Sequence, residues 1–285
     1  MSAETEAWCR DLISDPAKMS AFETQHVTYY KIAQDALSEA EAEGLDLLSL
    51  SEPENMAKLG TRDRRIAKRL LKRARVYGVC AAYAAIALEG APFRKSNILG
   101  LTLGGVRQTL FDKRGLGEGF EVLIPNELLK NGKSLTERGA SIPPVAICGS
   151  EPGQYAEKII SFYLKEIRPL FPRVGQTHFL FPSLTAQGKS MVHRTFDNWL
   201  LEASNSLGIP MTSHNFRHGY CSIEIKHDPN CIEDLAHVLG DRPDTVRRYY
   251  AFVDRVSTLR RHQAQRSKRR ADYRIQEAPA GEGAV

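Results

Sequence analysis

The densest polar stretch of this chain is Thr212-Ser213-His214-Asn215-Phe216-Arg217-His218-Gly219. His214 and Arg217 are three residues apart, so on a helix both project from one face and can grip a single anion together. Two other readings compete. His214 and His218, at i and i+4, have a spacing that suits metal ligands, although no Glu follows the first His and no third ligand is evident. Alternatively, the stretch is simply a capped helix start. Downstream lies a phenol pair, Tyr249-Tyr250, and successive helical residues point about 100° apart, so only one can face a bound group.

Further boxes flank this cluster. Downstream run Leu235-Ala236-His237-Val238-Leu239-Gly240-Asp241-Arg242-Pro243 and then Arg247-Arg248-Tyr249-Tyr250; upstream run Ala91-Pro92-Phe93-Arg94-Lys95-Ser96 and, between the two, Leu129-Lys130-Asn131-Gly132-Lys133. In order and spacing, from about Thr61 to Val256, they resemble the tyrosine recombinase (phage integrase) family. That family's signature is an early Arg after a helix, a β-hairpin Lys, an H-x-x-R box, a His or Trp after an L-G turn, and a Tyr nine residues further on. Carried over by position, the resemblance makes Arg94 the first arginine, His214 and Arg217 the H-x-x-R pair, Tyr250 the nucleophile and Lys130 the lysine, with Lys133 in reserve. Asp241 stands where the family carries His or Trp; it is a candidate to orient Arg217 or accept the phenolic proton, and His237 lies one helical turn earlier. Arg242 is a further candidate phosphate contact. His218 and Tyr220 read as helix packing or surface residues.

These residue types suit one chemistry. A phosphodiester is anionic, so attack by a phenol needs the growing charge on the non-bridging oxygens stabilised, which two guanidiniums, Arg94 and Arg217, can do with fixed, always-charged forks. Tyr250 must lose a proton and the departing 5′ oxygen must gain one. Lys130 is the candidate acid and His214 the candidate acceptor. The resemblance implies a 3′-phosphotyrosyl link that a second 5′ hydroxyl can reverse, with no metal or cofactor. Rival readings are a DNA-binding relative that has lost cleavage, a type IB topoisomerase and a His-based metalloenzyme.

The elements that must position these groups are mostly helical. Ile66, Leu70, Ala74, Tyr77 and Ala81 recur at helical spacing, predicting one helix over Arg62–Leu88 that stops at Gly90 and Pro92. β-rich runs over Leu99–Phe111, Phe120–Ile124 and Ser141–Ile147 predict a small antiparallel sheet. Helices follow over Gln154–Arg168, His193–Leu207, His214–Lys226, Cys231–Leu239 and Thr245–Phe252, with Gly240 closing the fourth. The fold class expected is α+β, mainly α, and the resemblance implies the DNA breaking-rejoining catalytic fold over residues 61–256. Residues 1–60 read as a short acidic segment of about three helices, a reduced core-binding-like region, and 257–285 as a basic tail.

Charge divides along the same line. Residues 1–60 carry 4 Lys/Arg against 12 Asp/Glu, net −8, so the overall +5 hides a net +13 from Thr61 onward. One basic run holds Arg62, Lys68, Arg69 and Lys72; a second holds Arg255, Arg260, Arg261, Arg266, Lys268 and Arg274. Such runs suit a polyanion, because each phosphate neutralised releases a condensed counterion; a solvated helix face or disordered tail is the alternative. Lys68, Arg69 and Lys72 are the candidate DNA-backbone contacts. Double-stranded DNA is the expected partner, with the chain a homo-oligomer on it. The longest apolar stretch, Val76–Leu88, is shorter than the roughly 18 to 20 residues a bilayer crossing needs, and the start of the chain has no signal-peptide pattern. Five scattered cysteines without a C-x-x-C pair suggest reduced thiols. The expected location is cytoplasmic, with the nucleoid.

Overall fold

The computed structural model describes residues 1–137 and 139–276, without the side chains of 251, 254–262, 272 and 274–276 in the last helix. The chain is mainly α with a small antiparallel sheet. Four helices open it: α1 (Ala3–Ser14), α2 (Pro16–Ala42), α3 (Leu47–Leu50) and α4 (Pro53–Lys58). Asp15 caps α2 by accepting from the Ala17 amide, and Pro16 supplies the preset φ of a first helical turn. The predicted breaks at Gly44 and near Pro53 are present, yet α2 is 27 residues long, so the segment is more than a set of short helices.

The reason is its partner. α5 (Thr61–Ala85) continues through a π-turn, Ile86–Gly90, and lies antiparallel to α2: Glu39 near the end of α2 meets Arg69 and Arg73 near the start of α5, and His26 near the start of α2 meets Glu89 after its end. Along the seam the Tyr29 and Tyr77 rings meet at a tilt, with centroids 6.0 Å apart. Residue 60 therefore divides the charge but not the packing, since Phe22, Tyr29 and Ala33 share one core with Leu70, Tyr83 and Phe216. Each of the large side chains among them contributes about 1.5–3 kcal/mol by leaving water.

β1 (Leu110–Asp112), β2 (Phe120–Val122) and β3 (Val145–Ile147) pair antiparallel in that order, turning Leu110, Phe120, Val122 and Ile147 inward. The strands are shorter than the apolar runs suggested. Leu99 ends helix α6 (Lys95–Leu99), and Gly105, at φ +84°, bends the chain before Thr109, so only the last residues of the first run enter the sheet. The long β2–β3 connection carries α7 (Gly132–Glu137).

The C-terminal half comprises α8 (Ala156–Phe162), α9 (His193–Asn205), α10 (Ser213–His227), α11 (Ile232–Leu239) and α12 (Pro243–Gln276). The last extends far beyond the predicted Phe252, so the helical backbone runs through what the sequence suggests is a tail; residues 277–285 and the side chains of Arg255, Arg260, Arg261 and Arg274 lie outside the described residues. Among the described residues no helix is long and apolar enough to cross a membrane.

Candidate active site

α10 is the element on which the site is built, and an aromatic cluster fixes it. Phe216 packs against Phe22 of α2 (5.1 Å) and edge-on to Tyr83 of α5 (5.6 Å), while Tyr83 meets Phe196 of α9 at 4.3 Å. Thr212 caps the helix at the Asn215 amide. Behind it, Gly219 admits α1: a Cβ there would sit 3.0 Å from Trp8, Leu12 and Phe22. With Phe216 turned inward, His214 and Arg217 face the other way.

The Arg94 segment is drawn to this face by Arg217 itself. Its Nη1 donates to the Pro92 carbonyl at 2.8 Å, and its Nη2 donates to the Leu239 carbonyl (3.2 Å) and to Asp241 Oδ2 (3.0 Å). One guanidinium thus ties together the approach to Arg94, the end of α11 and the turn after it. Gly240, at φ +65°, closes α11 in the left-handed region and sends Asp241 back towards α10. The Lys130 segment is held by two amides, Asn97 Nδ2 donating to the Leu128 carbonyl at 2.9 Å and Asn131 Nδ2 donating to the Gly240 carbonyl. Lys130 lies in the β2–β3 connection, though between a 3₁₀ turn and α7 and not in a tight hairpin.

Arg94, Lys130, His214, Arg217, Asp241 and Tyr250 consequently line one cavity of about 300 Å³, although they span 157 positions of sequence from first to last. Lys133, the reserve lysine, is exposed on α7 and outside this lining, as are His237 and Arg242. Lys68, Arg69 and Lys72 are exposed on α5 as expected, but Arg69 pairs with Glu39 and Lys72 with Glu202. Tyr250 is buried and Tyr249, which also reaches the cavity, is exposed under the Arg248 guanidinium.

His218 corrects the sequence reading. It packs inside the helix as expected, but its Nδ1 lies 2.6 Å from the Tyr250 hydroxyl and its Nε2 3.2 Å from His214 Nε2. Burial, with His214 and nearby cationic groups, lowers its pKa from 6.5 to about 3, so the ring is neutral. A neutral ring that accepts the Tyr250 proton at Nδ1 carries its own hydrogen on Nε2 and donates it to His214, a chain leading from phenol to open cavity. Burial also lowers His214, helped by Arg217 and Arg94. The Tyr250 phenol is pushed well above 10 by burial, with Cys221 adding to the shift and Arg217 opposing it. Nothing in the i, i+4 spacing of the two histidines distinguished this role from packing. Two imidazoles face a buried phenol, three cationic side chains and the Asp241 carboxylate, a donor set able to take an anion. Among the described residues no three His, Cys, Asp or Glu gather as a metal site.

Two stability predictions arise from this geometry. Because the folded pKa of His218 lies below the unfolded value, unfolding takes up a proton as pH falls below 6.5, and this penalty grows until about pH 3. Between pH 7 and pH 5 the loss amounts to up to about 2 kcal/mol for one histidine; urea unfolding at the two pH values should show it, with a smaller loss in His218→Gln. A Cβ at Gly132 would be driven into the Asn126 backbone carbonyl, where no rotamer change relieves it. Gly132→Ala should cost about 3 kcal/mol in urea unfolding and displace the neighbouring Lys130 segment.

Searches against family models, curated proteins and solved structures returned no match.

Proposed function

We propose that the chain is a tyrosine-type site-specific recombinase or integrase, with the DNA breaking-rejoining catalytic fold, that cuts and rejoins DNA through a 3′-phosphotyrosyl intermediate. What carries the reading is the convergence of Arg94, Lys130, His214 and Arg217 on one cavity with the Tyr250 phenol. In the step proposed, the Tyr250 oxygen attacks the phosphorus and the bond to the 5′ oxygen breaks. The phenolic proton passes to His218, which relays its Nε2 proton to His214; Lys130 supplies a proton to the leaving 5′ oxygen. Arg94 and Arg217 stabilise the charge on the non-bridging oxygens, a contribution typically worth several kcal/mol of barrier. Attack by another strand's 5′ hydroxyl runs the same atoms backwards. Double-stranded DNA is the proposed substrate and a homo-oligomer the proposed assembly, with Lys68 an exposed α5 cation available to the DNA backbone.

A second reading, a DNA-binding relative that does not cleave, is favoured by one observation: Asp241, an anion, stands between the two arginines. A duplex that traps the covalent intermediate separates the two. Radiolabelled protein–DNA adduct with wild type supports the recombinase. Binding without adduct on any duplex supports the binder, and relaxation of any supercoiled plasmid without site preference would point to topoisomerase chemistry.

A further inference from the structure

We infer that Asp241 is a resident anion, its carboxylate holding the phosphate position between Arg94 and Arg217 until an external phosphate displaces it. The inference rests on the proposed reading of this cavity as a phosphate site. Its geometric basis is direct. Oδ2 accepts from Arg217 Nη2 at 3.0 Å, and Oδ1 lies 3.8 Å from Arg94 Nη2, so one oxygen faces each guanidinium. A phosphate bound by the same two forks would present two oxygens in the same way. The carboxylate arrives on a turn set by Gly240 in the left-handed region and secured by the Asp241 amide donating to the Ala236 carbonyl at 2.9 Å.

The contact is closed enough to matter and open enough to exchange. Arg217 is 15% exposed and also held by two carbonyls, so it stays in place when the carboxylate leaves; Arg94 is 37% exposed and among the described residues pairs through the longer contact alone, leaving it able to turn towards a ligand. Within the cavity Asp241 is the only carboxylate among the described lining residues, opposed by Arg94, Lys130 and Arg217. Its effect on a bound phosphate is then twofold: it must be displaced from both forks, and once displaced it repels the newcomer at close range. A side chain of the same shape without the charge removes both costs.

The test is anion affinity, read without DNA cleavage. Dimethyl phosphate is titrated into wild type and Asp241→Asn, following the imidazole signals of His214 and His218 by NMR. Asn keeps an oxygen to accept from Arg217, so the arginine stays oriented while the charge is lost. A charge-assisted hydrogen bond is worth about 1.5–3 kcal/mol, which corresponds to roughly 10- to 100-fold tighter binding in the Asn variant. The gain should vanish when Arg217→Gln is added. Unchanged or weaker affinity in Asp241→Asn overturns the inference, as does a gain that survives loss of Arg217. Asp241→Ser, read in the same titration, decides the matter if the Asn variant does not fold. Because the adduct assay reports cleavage separately, adduct formation with no affinity gain would sink Asp241's role alone, and an affinity gain without adduct would sink only the recombinase reading.

Discussion

If the proposed recombinase reading holds, Tyr250→Phe should abolish covalent attachment to DNA while leaving DNA binding within about two-fold of wild type. The variant removes one oxygen and nothing else from the ring, which stays packed beside Phe252 and His218 in the core under α12. No adduct can form without that oxygen, so the loss should be complete on a trapping duplex. Tyr249→Phe is the matched control. Its ring is exposed and, among the described residues, its hydroxyl makes no hydrogen bond like that of Tyr250 with His218, so adduct yield should persist. The reverse result, adduct lost in Tyr249→Phe and retained in Tyr250→Phe, would move the nucleophile one residue along α12. Burial of the Tyr250 phenol, which raises its pKa, adds a kinetic expectation: in the proposed step the proton leaves through His218, so His218→Ala should slow adduct formation by about 10²- to 10⁴-fold, the usual worth of a positioned acid or base.

Arg217→Ala should damage both activity and stability, whereas Arg94→Ala should damage activity alone. The Arg217 guanidinium donates to the Pro92 carbonyl, the Leu239 carbonyl and Asp241, and truncation strands the two carbonyls and leaves Asp241 with only the longer Arg94 contact among the described residues, at a partly buried junction. A loss of about 2–4 kcal/mol in urea unfolding is expected. Arg217→Lys returns the charge but not the fork, since one ammonium cannot replace donors fixed in a plane, so it should recover part of the stability and little of the activity. Arg94 is more exposed and its one ion pair among the described residues is with Asp241, at 3.8 Å, so its removal should change stability by no more than about 1 kcal/mol. On adduct formation both alanine variants should fall by about 10²-fold or more, because each takes away one charge aimed at the phosphate oxygens. Equal unfolding energies for the two variants would contradict the structural role given to Arg217.

Much of the helical framework was legible in order. The 3.6-residue recurrence from Ile66 to Ala81 is α5, the Thr212 box opens α10, and Gly240 ends α11 in the left-handed conformation such a position favours. These are local signals, decided within one or two turns. The acidic opening segment is less legible, because charge marks solvent-facing residues and says little about the apolar stripe, Phe22, Tyr29 and Ala33, that gives α2 its length against α5. The strands were overextended because β-rich composition cannot show that Leu99 belongs to a helix while Gly105 turns the chain away from the sheet.

By itself the sequence determined which residue types are available and their order along the chain: two arginines, a lysine, a histidine and a pair of phenols, set among helices with readable caps. Only the tertiary structure decided that His218 holds the Tyr250 hydroxyl, that Arg217 pins the Pro92 carbonyl, and that Asp241 lies between both guanidiniums. Helical spacing places side chains on a face, but the partners of Arg217 across that face come from 22 to 125 residues away, brought there by the packing of Phe216, Tyr83 and Phe196. Apolar burial selects that arrangement, and the polar contacts follow from where it leaves the side chains.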